Sequence, residues 1–599
     1  MIKEAIRHTG TYPDIYLKNR QTVEVTLRTA KKNIVECQVL YFSRTSPENV
    51  KAAEMFCVLR DDLFDYYKCK IYFPHPVRYQ KYFFRLKGDK EVCYLSAWGI
   101  SENEPKDGYF EFLYANQTEI VQVPEWSKGQ VYYQIFPERF SNGNPEWNPE
   151  NCEEWGTLPT RENYMGGDLK GIINHLEYLE ELGIDSIYLN PVFEADFNHK
   201  YATTDYFAID SIFGGNEAFR ELVEKAHKKG IKIILDGVFN HTGIHFPPFA
   251  DILKNQENSR YTSWYYITQY PVTISTECYE CVGAYSYMPK LNTRNPEVRE
   301  KILEIMAYWI REYHIDGWRL DVSDEVDESI WIEARIRLKQ EFPDILLLGE
   351  TWGSGLRLMD GLKMDCIMNY TFRDAVRDFF AYEKIDAKVF DSRIQSMLAK
   401  YPEEMNQAMF LPLDSHDTER FLYYCQENKE KMKLAITFQM TFVGSPSVYY
   451  GDEIGMTGDN DPDCRRCMIW EEEKQDKQLL ELYKNLIHLR KQEQCIKTGK
   501  FAVNMCEGRL YGFVRYDDNK EIYIVINGDE KEQTAEIPVF YKKQYLDWEG
   551  GQEYMVETAE KKECCNSDIY HYEGIIPIHM EPLSMKILIS KGGNNNEKI

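Results

Sequence analysis

Two charged residues, Arg319 and Asp321, interrupt a short apolar segment that runs from Trp318 to Val322. Charges inside a buried strand are costly unless they are paired or functional. Strand alternation puts both side chains on one face, where the guanidinium would keep the carboxylate ionised. An ionised carboxylate can act as a nucleophile. The segment also fits a structural ion pair at a strand end, and on its own it does not separate the two interpretations.

Three further segments place acids and histidines where apolar strands are expected to end. Asp236 and His241 follow one strand, Glu350 follows another, and His416 with Asp417 follow a third. A structural charge is a fair interpretation of one strand end, but four such ends together favour a functional site. Carboxylates accompanied by Arg and His fit glycoside hydrolysis, in which one carboxylate attacks and another protonates the leaving oxygen.

These segments belong to a central region, residues 126–498, where short apolar strands alternate with amphipathic helices. Eight strand–helix units over this length predict an α/β fold, a (β/α)8 TIM barrel. Catalytic residues of such barrels lie at the C-terminal ends of the strands. Residues 239–292 form an insertion after the third strand, and we expect it to help build the site.

The segments on either side of this barrel are rich in β-strand patterns. Residues 1–125 contain several short alternating strands, which predict an N-terminal β-sandwich domain. Residues 499–599 return to strands around a turn at 517–520, and they predict a C-terminal β-sandwich domain. The sequence therefore predicts three domains, with the chemistry confined to the middle one.

The composition excludes several kinds of partner. The chain has 599 residues and a formal net charge of -26. Nucleic acids and anionic membranes bind basic surfaces, so we expect neither, and a neutral substrate fits. The N-terminus has no apolar leader, and no apolar stretch of about eighteen residues occurs. These features predict a cytoplasmic protein that does not span a membrane.

The cysteines favour simple thiols. There are 15, an odd number, scattered along the chain. In a cytosolic protein such cysteines are expected to be reduced. Two Cys-x-x-Cys pairs, Cys278/Cys281 and Cys464/Cys467, could contribute to a zinc site, but their separation is unlike that of zinc ribbons.

The charged segments resemble the four signature segments of the α-amylase family of glycoside hydrolases, in the family's order. They are residues 236–241, 317–321, 349–350 and 416–417. The segment Met-Pro-Lys-Leu-Asn at 288–292 resembles the marker of the neopullulanase, cyclomaltodextrinase and maltogenic amylase subgroup. That subgroup carries an N-terminal starch-binding-like β domain, which matches residues 1–125, so the resemblance covers essentially the whole chain.

The resemblance implies a retaining hydrolase of α-1,4 glucosidic bonds, with α-1,6 bonds as further candidates. It implies Asp321 as the nucleophile, Glu350 as the general acid/base and Asp417 as a third carboxylate that grips sugar hydroxyls. The pKa of Glu350 should be raised while that of Asp321 stays low, with the two carboxyl groups about 5–5.5 Å apart. The implied substrate-binding residues are Tyr206 as a stacking aromatic, His241, Arg319, His416, Asp461 and Arg465.

A structural calcium site after the first barrel strand is also implied by the resemblance. Oxygen ligands from Asn, Asp and backbone carbonyls suit Ca²⁺. Trp147 stands where a side-chain ligand is expected, and an ordinary Asn/Gly/Pro turn is the alternative interpretation. The expected ligands are Asn142, Asn144, Asn148, Gly166 and Asp168.

Three functions remain open at this point. The first is a hydrolase of cyclodextrins, pullulan or maltooligosaccharides, and the second is an enzyme that is mainly a 4-α-glucanotransferase. The third is a non-catalytic α-glucan-binding protein, which would be expected to have lost a catalytic carboxylate, and none is lost here. The resemblance further implies a homodimer in which the N-terminal domain of one chain covers the barrel mouth of the other.

Overall fold

The computed structural model describes residues 1–541, 543–557 and 569–591. Residue 542 and residues 558–568 and 592–599 lie outside the described residues, so part of the expected C-terminal domain is not covered.

The N-terminal region is an antiparallel β-sandwich, as predicted. Alternate residues such as Val25, Leu27 and Val39 point into its core and are almost fully buried. Hydrogen bonding connects the strands in the order β1-β2-β5-β4-β3-β6-β7-β8, with β9 on β6. The strands are β1 Ile15–Asn19, β2 Thr22–Ala30, β3 Glu36–Ser43, β4 Lys51–Arg60, β5 Phe64–Tyr72, β6 Arg78–Lys87, β7 Val92–Ser96, β8 Gly99–Ser101 and β9 Phe110–Tyr114.

The middle region forms the predicted parallel barrel. Its eight-stranded sheet has the order β17-β16-β15-β14-β11-β10-β19-β18, while β12 and β13 form a separate hairpin. A single parallel bridge, Met368 with Phe410, joins the two ends and closes the barrel. The strands are β10 Tyr132–Ile135, β11 Ser186–Leu189, β12 Phe193–Ala195, β13 Thr203–Ile209, β14 Lys232–Gly237, β15 Gly317–Leu320, β16 Leu346–Gly349, β17 Cys366–Ile367, β18 Phe410–Pro412 and β19 Ser445–Tyr449.

Helices cover the outside of the barrel. The helix after the second barrel strand buries its apolar face, on which Leu222 and Ala226 are fully inaccessible. The helices are α1 Pro137–Phe140, α2 Leu169–Asn174, α3 Leu176–Leu182, α4 Gly215–Lys228, α5 Pro247–Asn255, α6 Pro296–Tyr313, α7 Glu328–Glu341, α8 Tyr370–Val376, α9 Ala387–Ala399, α10 Glu403–Ala408, α11 Phe421–Tyr424, α12 Lys429–Thr441, α13 Lys477–Gln492 and α14 Gln494–Thr498. Helix α5 lies in the insertion after the third barrel strand, between residues 239 and 292.

The C-terminal region is again antiparallel. A six-stranded sheet, β20-β21-β22-β27-β24-β25, accompanies a two-stranded sheet of β23 and β26. The predicted hairpin around residues 517–520 joins β21 and β22. The strands are β20 Lys500–Glu507, β21 Leu510–Tyr516, β22 Glu521–Asn527, β23 Gln533–Val539, β24 Tyr545–Asp547, β25 Glu553–Tyr554, β26 Gly574–Met580 and β27 Ser584–Ser590.

Two buried arginines join the N-terminal face of the barrel to the C-terminal domain. Among the described residues, no carboxylate forms an ion pair with Arg490 or Arg515, and both donate to backbone carbonyls near the C-terminus of α12. Burial lowers the pKa of Arg490 to about 9 and that of Arg515 to about 10. The acceptors are Gly129, Met440, Phe442 and Gly444 for Arg490, and Thr441, Gly499 and Lys500 for Arg515.

A buried carboxyl group lies at another contact between the barrel and the C-terminal domain. Asp391 on α9 accepts hydrogen bonds from Gln395 Nε2 at 3.2 Å and from the Tyr511 hydroxyl at 3.2 Å. Burial raises its pKa to about 7, against lowering by these two hydrogen bonds. The folded protein therefore favours the protonated form of this group.

The described cysteines, 13 in number, are all free thiols. Across the part of the chain that the structure describes, no helix has the length and apolar character needed to cross a membrane.

Candidate active site

Arg319 on β15 is fully buried at the C-terminal mouth of the barrel and contacts three carboxylates. Its Nη1 donates to Asp236 Oδ1 at 2.9 Å and to Asp321 Oδ1 at 2.8 Å, and its Nη2 lies 2.8 Å from Glu350 Oε2. The parallel register places Asp236 directly beside Arg319, and Glu350 follows the next strand, β16. The acids of three consecutive strands therefore meet at one guanidinium. The sequence had led us to expect Asp321 and Glu350 at this mouth, but not Asp236 among the converging carboxylates.

One positive charge serves three carboxyl groups in this cluster. Burial raises the pKa of Glu350, as expected, and it also raises that of Asp321, although Arg319 opposes both shifts. The expectation that Asp321 keeps a low pKa is wrong for the free site, because burial and the charges of Glu350 and Asp236 outweigh the guanidinium. The cluster therefore favours holding a proton, which is what a general acid needs.

The turn after β15 fixes the position of Glu350. Val322 has a φ of +44°, a region that strains a β-branched residue. In this conformation its N–H donates to Glu350 Oε2 at 2.8 Å. Ser323 holds the Glu350 carbonyl through its Oγ at 2.6 Å and its N–H at 3.2 Å. Both the side chain and the backbone of Glu350 are thus anchored to the segment that carries Asp321.

A hydrogen-bonded chain connects His416 to the acid cluster. Gln134 Nε2 donates to His416 Nδ1 at 2.9 Å, so a neutral imidazole carries its proton on Nε2. That nitrogen lies 2.6 Å from the Tyr201 hydroxyl and 3.1 Å from Asp417 Oδ2. Tyr201 donates in turn to Asp236 Oδ2 at 3.0 Å. Burial lowers the pKa of His416 well below its ordinary value, which keeps the ring neutral.

His241 is buried beside this network, and its ring lacks a hydrogen-bond partner among the described residues. Neither ring nitrogen has a hydrogen bond of good geometry with the described residues. Burial lowers its pKa to about 3, so the ring is neutral near pH 7. A buried neutral imidazole without a partner is suited to a hydroxyl group of a bound ligand.

Asp417, Asp461 and Arg465 lie together on the other side of His416. Arg465 Nη2 donates to Asp417 Oδ1 at 3.2 Å, and its Nη1 lies 2.9 Å from Asp461 Oδ1. Its Nε also holds the His416 carbonyl at 2.8 Å. The Asp417 side chain is 30% exposed, against 7% for Asp321, so it faces the open cleft. The structure thus brings these three predicted site residues to the same mouth.

The expectation for Tyr206 is wrong. Its residue surface is only 2% exposed, and its ring packs against Phe239 and Phe246. Its hydroxyl donates to the carbonyls of Val238 at 2.8 Å and His241 at 2.9 Å. No face of this ring is open to a sugar, so Tyr206 supports the loop that carries His241. Tyr201, whose ring stacks on His416 with centroids 5.6 Å apart and an interplanar angle of 5°, is instead an aromatic residue that lies within the site.

Sequence reasoning missed three polar residues of this network: Gln134, Asn190 and Tyr201. Asn190 Nδ2 donates to the Tyr201 hydroxyl at 3.1 Å, and Gln134 Nε2 donates to Asn190 Oδ1 at 3.0 Å. A signal was available for two of them. Gln134 is a polar residue inside an apolar strand, and Asn190 directly follows the next strand, at the barrel end where functional residues lie.

The mouth on the side of Glu350 carries an exposed aromatic ring. Trp352 is 53% exposed and stacks on Tyr370, with centroids 4.3 Å apart and an interplanar angle of 3°. Lys290 of the insertion reaches the same side, where its Nζ donates to Asn240 Oδ1 at 2.5 Å and approaches Glu325 Oε2 at 3.4 Å. Glu325 is therefore paired at the rim.

The expected calcium ligands fall into two groups. Asn142 Nδ2 donates to Asn148 Oδ1 at 3.0 Å, while Asn142 Oδ1 is buried without a described partner. A Cβ at Gly166 would lie 2.5 Å from Asn148 Oδ1, so its backbone touches this pair. Asp168 instead accepts three backbone N–H groups as the cap of α2, and Asn144 caps the turn at 145–147.

The orphaned Asn142 oxygen fits a hard cation, whereas both oxygens of the Asp168 carboxylate already accept from backbone N–H groups. The Trp147 side chain does not contribute a ligand, because its ring packs against Gly214, where a Cβ would meet it at 2.4 Å, so only its backbone carbonyl could take part. The Cys-x-x-Cys pairs do not converge on a metal: Cys278 Sγ accepts from Thr273, and Cys464 Sγ donates to the His416 carbonyl. Among the described residues, only Glu532, His579 and Glu581 bring three potential metal-ligand atoms of His, Cys, Asp or Glu within 4.8 Å of one another, and all three residues are exposed.

Comparison with known proteins gives matches along most of the chain. Residues 134–475 match the family model of the alpha amylase catalytic domain, and residues 1–116 match that of the alpha amylase N-terminal Ig-like domain. A cyclomaltodextrinase of Thermoanaerobacter pseudethanolicus is 42% identical over 540 residues, which cover 89% of this chain and 94% of that protein. Neopullulanase 2 of Thermoactinomyces vulgaris is 42% identical over 573 residues, covering 94% and 97%. A solved cyclomaltodextrinase structure superposes with a TM-score of 0.91 at 36% identity, covering 99% of this chain and 100% of that one.

Proposed function

The chain belongs to the alpha-amylase family of glycoside hydrolases, and on this premise we propose that it is a retaining α-glucan hydrolase. Its substrates would be cyclodextrins, pullulan or maltooligosaccharides, cleaved at α-1,4 bonds with α-1,6 bonds as further candidates. The names of the relatives support this substrate class. The observation that carries the proposal is the single guanidinium of Arg319 shared by three carboxyl groups at the barrel mouth.

The proposed mechanism uses two of these carboxyl groups in two steps. Asp321 Oδ attacks the anomeric carbon while Glu350 gives its proton to the departing glycosidic oxygen, so the sugar is retained on Asp321. Glu350 then takes a proton from water as the water oxygen attacks the same carbon and Asp321 leaves. The sum is one water consumed per bond cleaved, with the configuration at the anomeric carbon retained.

The remaining site residues would bind and orient the sugar. The neutral ring of His241 can exchange hydrogen bonds with hydroxyl groups without a charge penalty. The ring of His416 is also neutral, but its Nε2 would have to share or exchange its contacts with Tyr201 and Asp417 to bind a hydroxyl group. Asp417 is open to the cleft and can accept from two hydroxyls, while Arg465 and Asp461 fix its position. Contacts of this kind raise the rate only where they strengthen in the transition state.

A product analysis tests this function directly. The protein would be incubated with cyclodextrin, pullulan and soluble starch side by side, and the anomeric form of the first product would be followed by NMR. Release of α-anomeric maltooligosaccharides supports the proposal. Release of the β-anomer first would rule out the retaining mechanism, and absence of turnover on all three substrates would rule out the hydrolase.

Transfer to a sugar acceptor is the second candidate function. The exposed Trp352, stacked on Tyr370 beside Glu350, offers a flat face where an acceptor sugar could lie. A sugar hydroxyl would then replace water in the second step. Products longer than the substrate at high maltose concentration, in excess of hydrolysis products, would favour this alternative.

We also propose a structural Ca²⁺ held by Asn142, Asn148, Gly166 and Asp168, with the Asn144 turn closing the site. When bound, the ion would supply charge neutralisation beside the first barrel strand and take no part in the chemistry. Chelation followed by a thermal unfolding scan tests it, because loss of a bound ion lowers Tm.

The homodimer implied by the family resemblance and the cytoplasmic location predicted from the apolar pattern of the sequence are proposals of the same standing. The free thiols of the described cysteines suit a reducing compartment. A mass by light scattering equal to one chain would contradict the homodimer.

A further inference from the structure

Asp414, Arg420 and Asp452 form a second buried charge cluster, separate from the acids around Arg319. We call these three residues the Arg420 cluster. Asp414 follows β18, Arg420 precedes α11, and Asp452 follows β19. Arg420 Nη1 donates to Asp452 Oδ1 at 2.8 Å. Each of the three residues is at most 3% exposed, so none of them faces the open cleft.

The cluster closes the loop that carries Asp417. The Phe421 N–H donates to Asp414 Oδ2 at 2.5 Å, which joins the two ends of segment 414–421. Within this segment the Asp417 N–H donates to Ser415 Oγ at 3.2 Å. The shape of the loop around Asp417 therefore depends on the buried carboxyl group of Asp414.

Arg420 also ties this loop to the segment that carries Arg465. Its N–H donates to the Gly458 carbonyl at 3.0 Å, and its Nε donates to the Cys464 carbonyl at 3.0 Å. Arg465, the next residue after Cys464, pairs with Asp417 at 3.2 Å. Arg420 thus fixes the separation between two segments whose side chains meet at Asp417.

One guanidinium serves two carboxyl groups in the Arg420 cluster. Burial raises the pKa of both Asp414 and Asp452, the negative charge of Asp414 adds to the increase at Asp452, and Arg420 opposes both shifts. Asp452 Oδ1 accepts from Arg420, so a proton on the other oxygen of Asp452 can be donated to Asp414. The two carboxyl groups are then joined by a hydrogen bond instead of being separated by repulsion.

The surroundings of the two carboxyl groups support this shared proton. Among the described residues, Arg420 is the one cation that forms an ion pair with either of them. Arg373 on α8 lowers the pKa of Asp414 without pairing with it, while the charge of Glu453 raises that of Asp452. The cluster therefore consists of one cation, one carboxylate and one carboxylic acid.

We propose that Arg420, held by Asp414 and Asp452, is a positioning residue that sets the place of Asp417 for its contact with the substrate. The inference rests on the proposed function, in which Asp417 binds sugar hydroxyls, and extends it to residues that touch no substrate. Arg465 pairs with the side chain of Asp417, and Arg420 holds the same two segments together through buried contacts. Loss of these contacts would displace Asp417 and leave the acids around Arg319 in place.

A double-mutant cycle tests the link to Asp417. Asp452→Ala is expected to lower kcat/KM on maltooligosaccharides by roughly tenfold or more, because a displacement of about 1 Å can cost about 10²-fold. In the Asp417→Ala background the same substitution should cost less than about threefold, since the group to be positioned is absent. Asp452→Asn keeps an acceptor for Arg420 and a donor for Asp414, so it should stay within about threefold of the wild type.

Asp365→Ala is the matched control. Asp365 is an equally buried carboxylate that pairs with Arg335 at 2.7 Å, but it precedes β17 at the opposite end of the barrel. Its removal should lower Tm, and any fold-change in kcat/KM should be the same with and without the Asp417 side chain. If Asp452→Ala does not fold, Arg420→Lys keeps the charge, loses the planar fork of donors and takes its place in the cycle.

The outcomes separate the inference from the proposed function. Equal fold losses for Asp452→Ala in both backgrounds, or full activity of the folded variant, would overturn the positioning role and leave the hydrolase intact. An Asp452→Asn variant as impaired as Asp452→Ala would also overturn it, because the cluster would then depend on charge and not on its hydrogen bonds. A wild-type protein without turnover on maltooligosaccharides would instead overturn the proposed function.

A second readout is calorimetric titration with maltose in the Glu350→Gln background. Asp452→Ala should weaken maltose binding by roughly threefold or more, whereas Asp365→Ala should leave it unchanged. Equal affinities in the two variants would contradict the positioning role, because a loss of stability alone does not weaken binding by the folded protein.

Discussion

Buried arginines occur at both ends of the barrel, in opposite surroundings. At the C-terminal mouth Arg319 lies among three carboxyl groups, whereas at the N-terminal face Arg490 and Arg515 lie among carbonyls. Backbone carbonyl groups do not titrate, so the guanidinium groups of Arg490 and Arg515 can only connect the barrel to the C-terminal domain. The carboxyl groups at the mouth can gain and lose protons, so the same kind of cation there governs chemistry. Burial of a charge therefore indicates function only when its partners can titrate.

The largest effect is expected from removing the proton donor of the mouth. Glu350→Gln keeps the shape of the side chain and its contact with the Val322 N–H but cannot donate a proton as an acid. We expect kcat on maltooligosaccharides to fall by about 10²- to 10⁴-fold, with little change in Tm. Glu341→Gln, an exposed carboxylate on α7, is the control. Normal turnover of the Glu350 variant would contradict its role as acid.

The second prediction exchanges each arginine for lysine at the two ends. Lysine lacks the planar fork of donors, so Arg319→Lys cannot hold Asp321 and Glu350 together. We expect it to lower kcat/KM by more than about tenfold, with a smaller change in stability. Arg515→Lys should do the reverse, because it leaves buried carbonyls without donors: the free energy of unfolding drops by about 1–3 kcal/mol and the activity of the folded enzyme is kept. Equal losses of activity in Arg319→Lys and Arg515→Lys would contradict the conclusion that only the arginine at the mouth takes part in the chemistry.

Asp391 is a buried carboxyl group that forms no ion pair with the described residues, which sharpens the comparison from the other side. Its pKa of about 7 in the folded protein exceeds the ordinary value of 3.8, so folding favours its protonated form. Stability from this group is present below about pH 4 and is lost as the pH rises to about 7, after which it is constant. At pH 8, Asp391→Asn should be more stable than the wild type by up to about 4 kcal/mol, and the gap should narrow toward pH 4. Urea unfolding at several pH values measures it, and a gap that does not depend on pH would contradict the shift.

The smallest effect concerns the pH profile of the mouth. The raised pKa of Glu350 extends the protonated, active form to higher pH, so kcat/KM should fall as the pH rises through it. Asp236 contributes to that increase through its negative charge. Asp236→Asn should therefore move the basic limb to lower pH, by less than about one unit, in addition to any loss of rate. If the basic limb of the pH profile moved to higher pH in Asp236→Asn, a group other than Glu350 would control that limb.

The fold and the charged strand ends were accessible from the sequence because they depend on local patterns. Period-two and helical apolar patterns predicted the barrel strands, and the barrel fold places their C-terminal residues at one mouth. The union of Asp236, Asp321 and Glu350 around Arg319 follows from that register. The spacing of residues along the chain was therefore sufficient to place Asp321 and Glu350 at the mouth, whereas Asp236 was not among the carboxylates expected to converge.

Sequence reasoning failed where loop geometry decides. Tyr201 and Tyr206 lie five residues apart in one hairpin, and nothing local shows which ring turns into the core. Sequence reasoning also gave the wrong direction for the pKa of Asp321. The sequence showed its pairing with Arg319, but the nearby charges of Glu350 and Asp236 result from the tertiary structure.

The closure of the barrel has a consequence for its motion. One bridge, Met368 with Phe410, joins β17 to β18, and β17 has only two residues, so this seam has the fewest hydrogen bonds to break. Asp321 and Glu350 stand on one side of it, on strands with continuous pairing, while His416 and Asp417 follow β18 on the other. Thermal opening at the seam would widen the cleft around the sugar while the nucleophile and acid stay in register. Hydrogen exchange should accordingly be faster for the Asn369 amide, which bonds the Phe410 carbonyl across the seam, than for the Glu350 amide, which bonds the Leu320 carbonyl between the continuously paired β16 and β15.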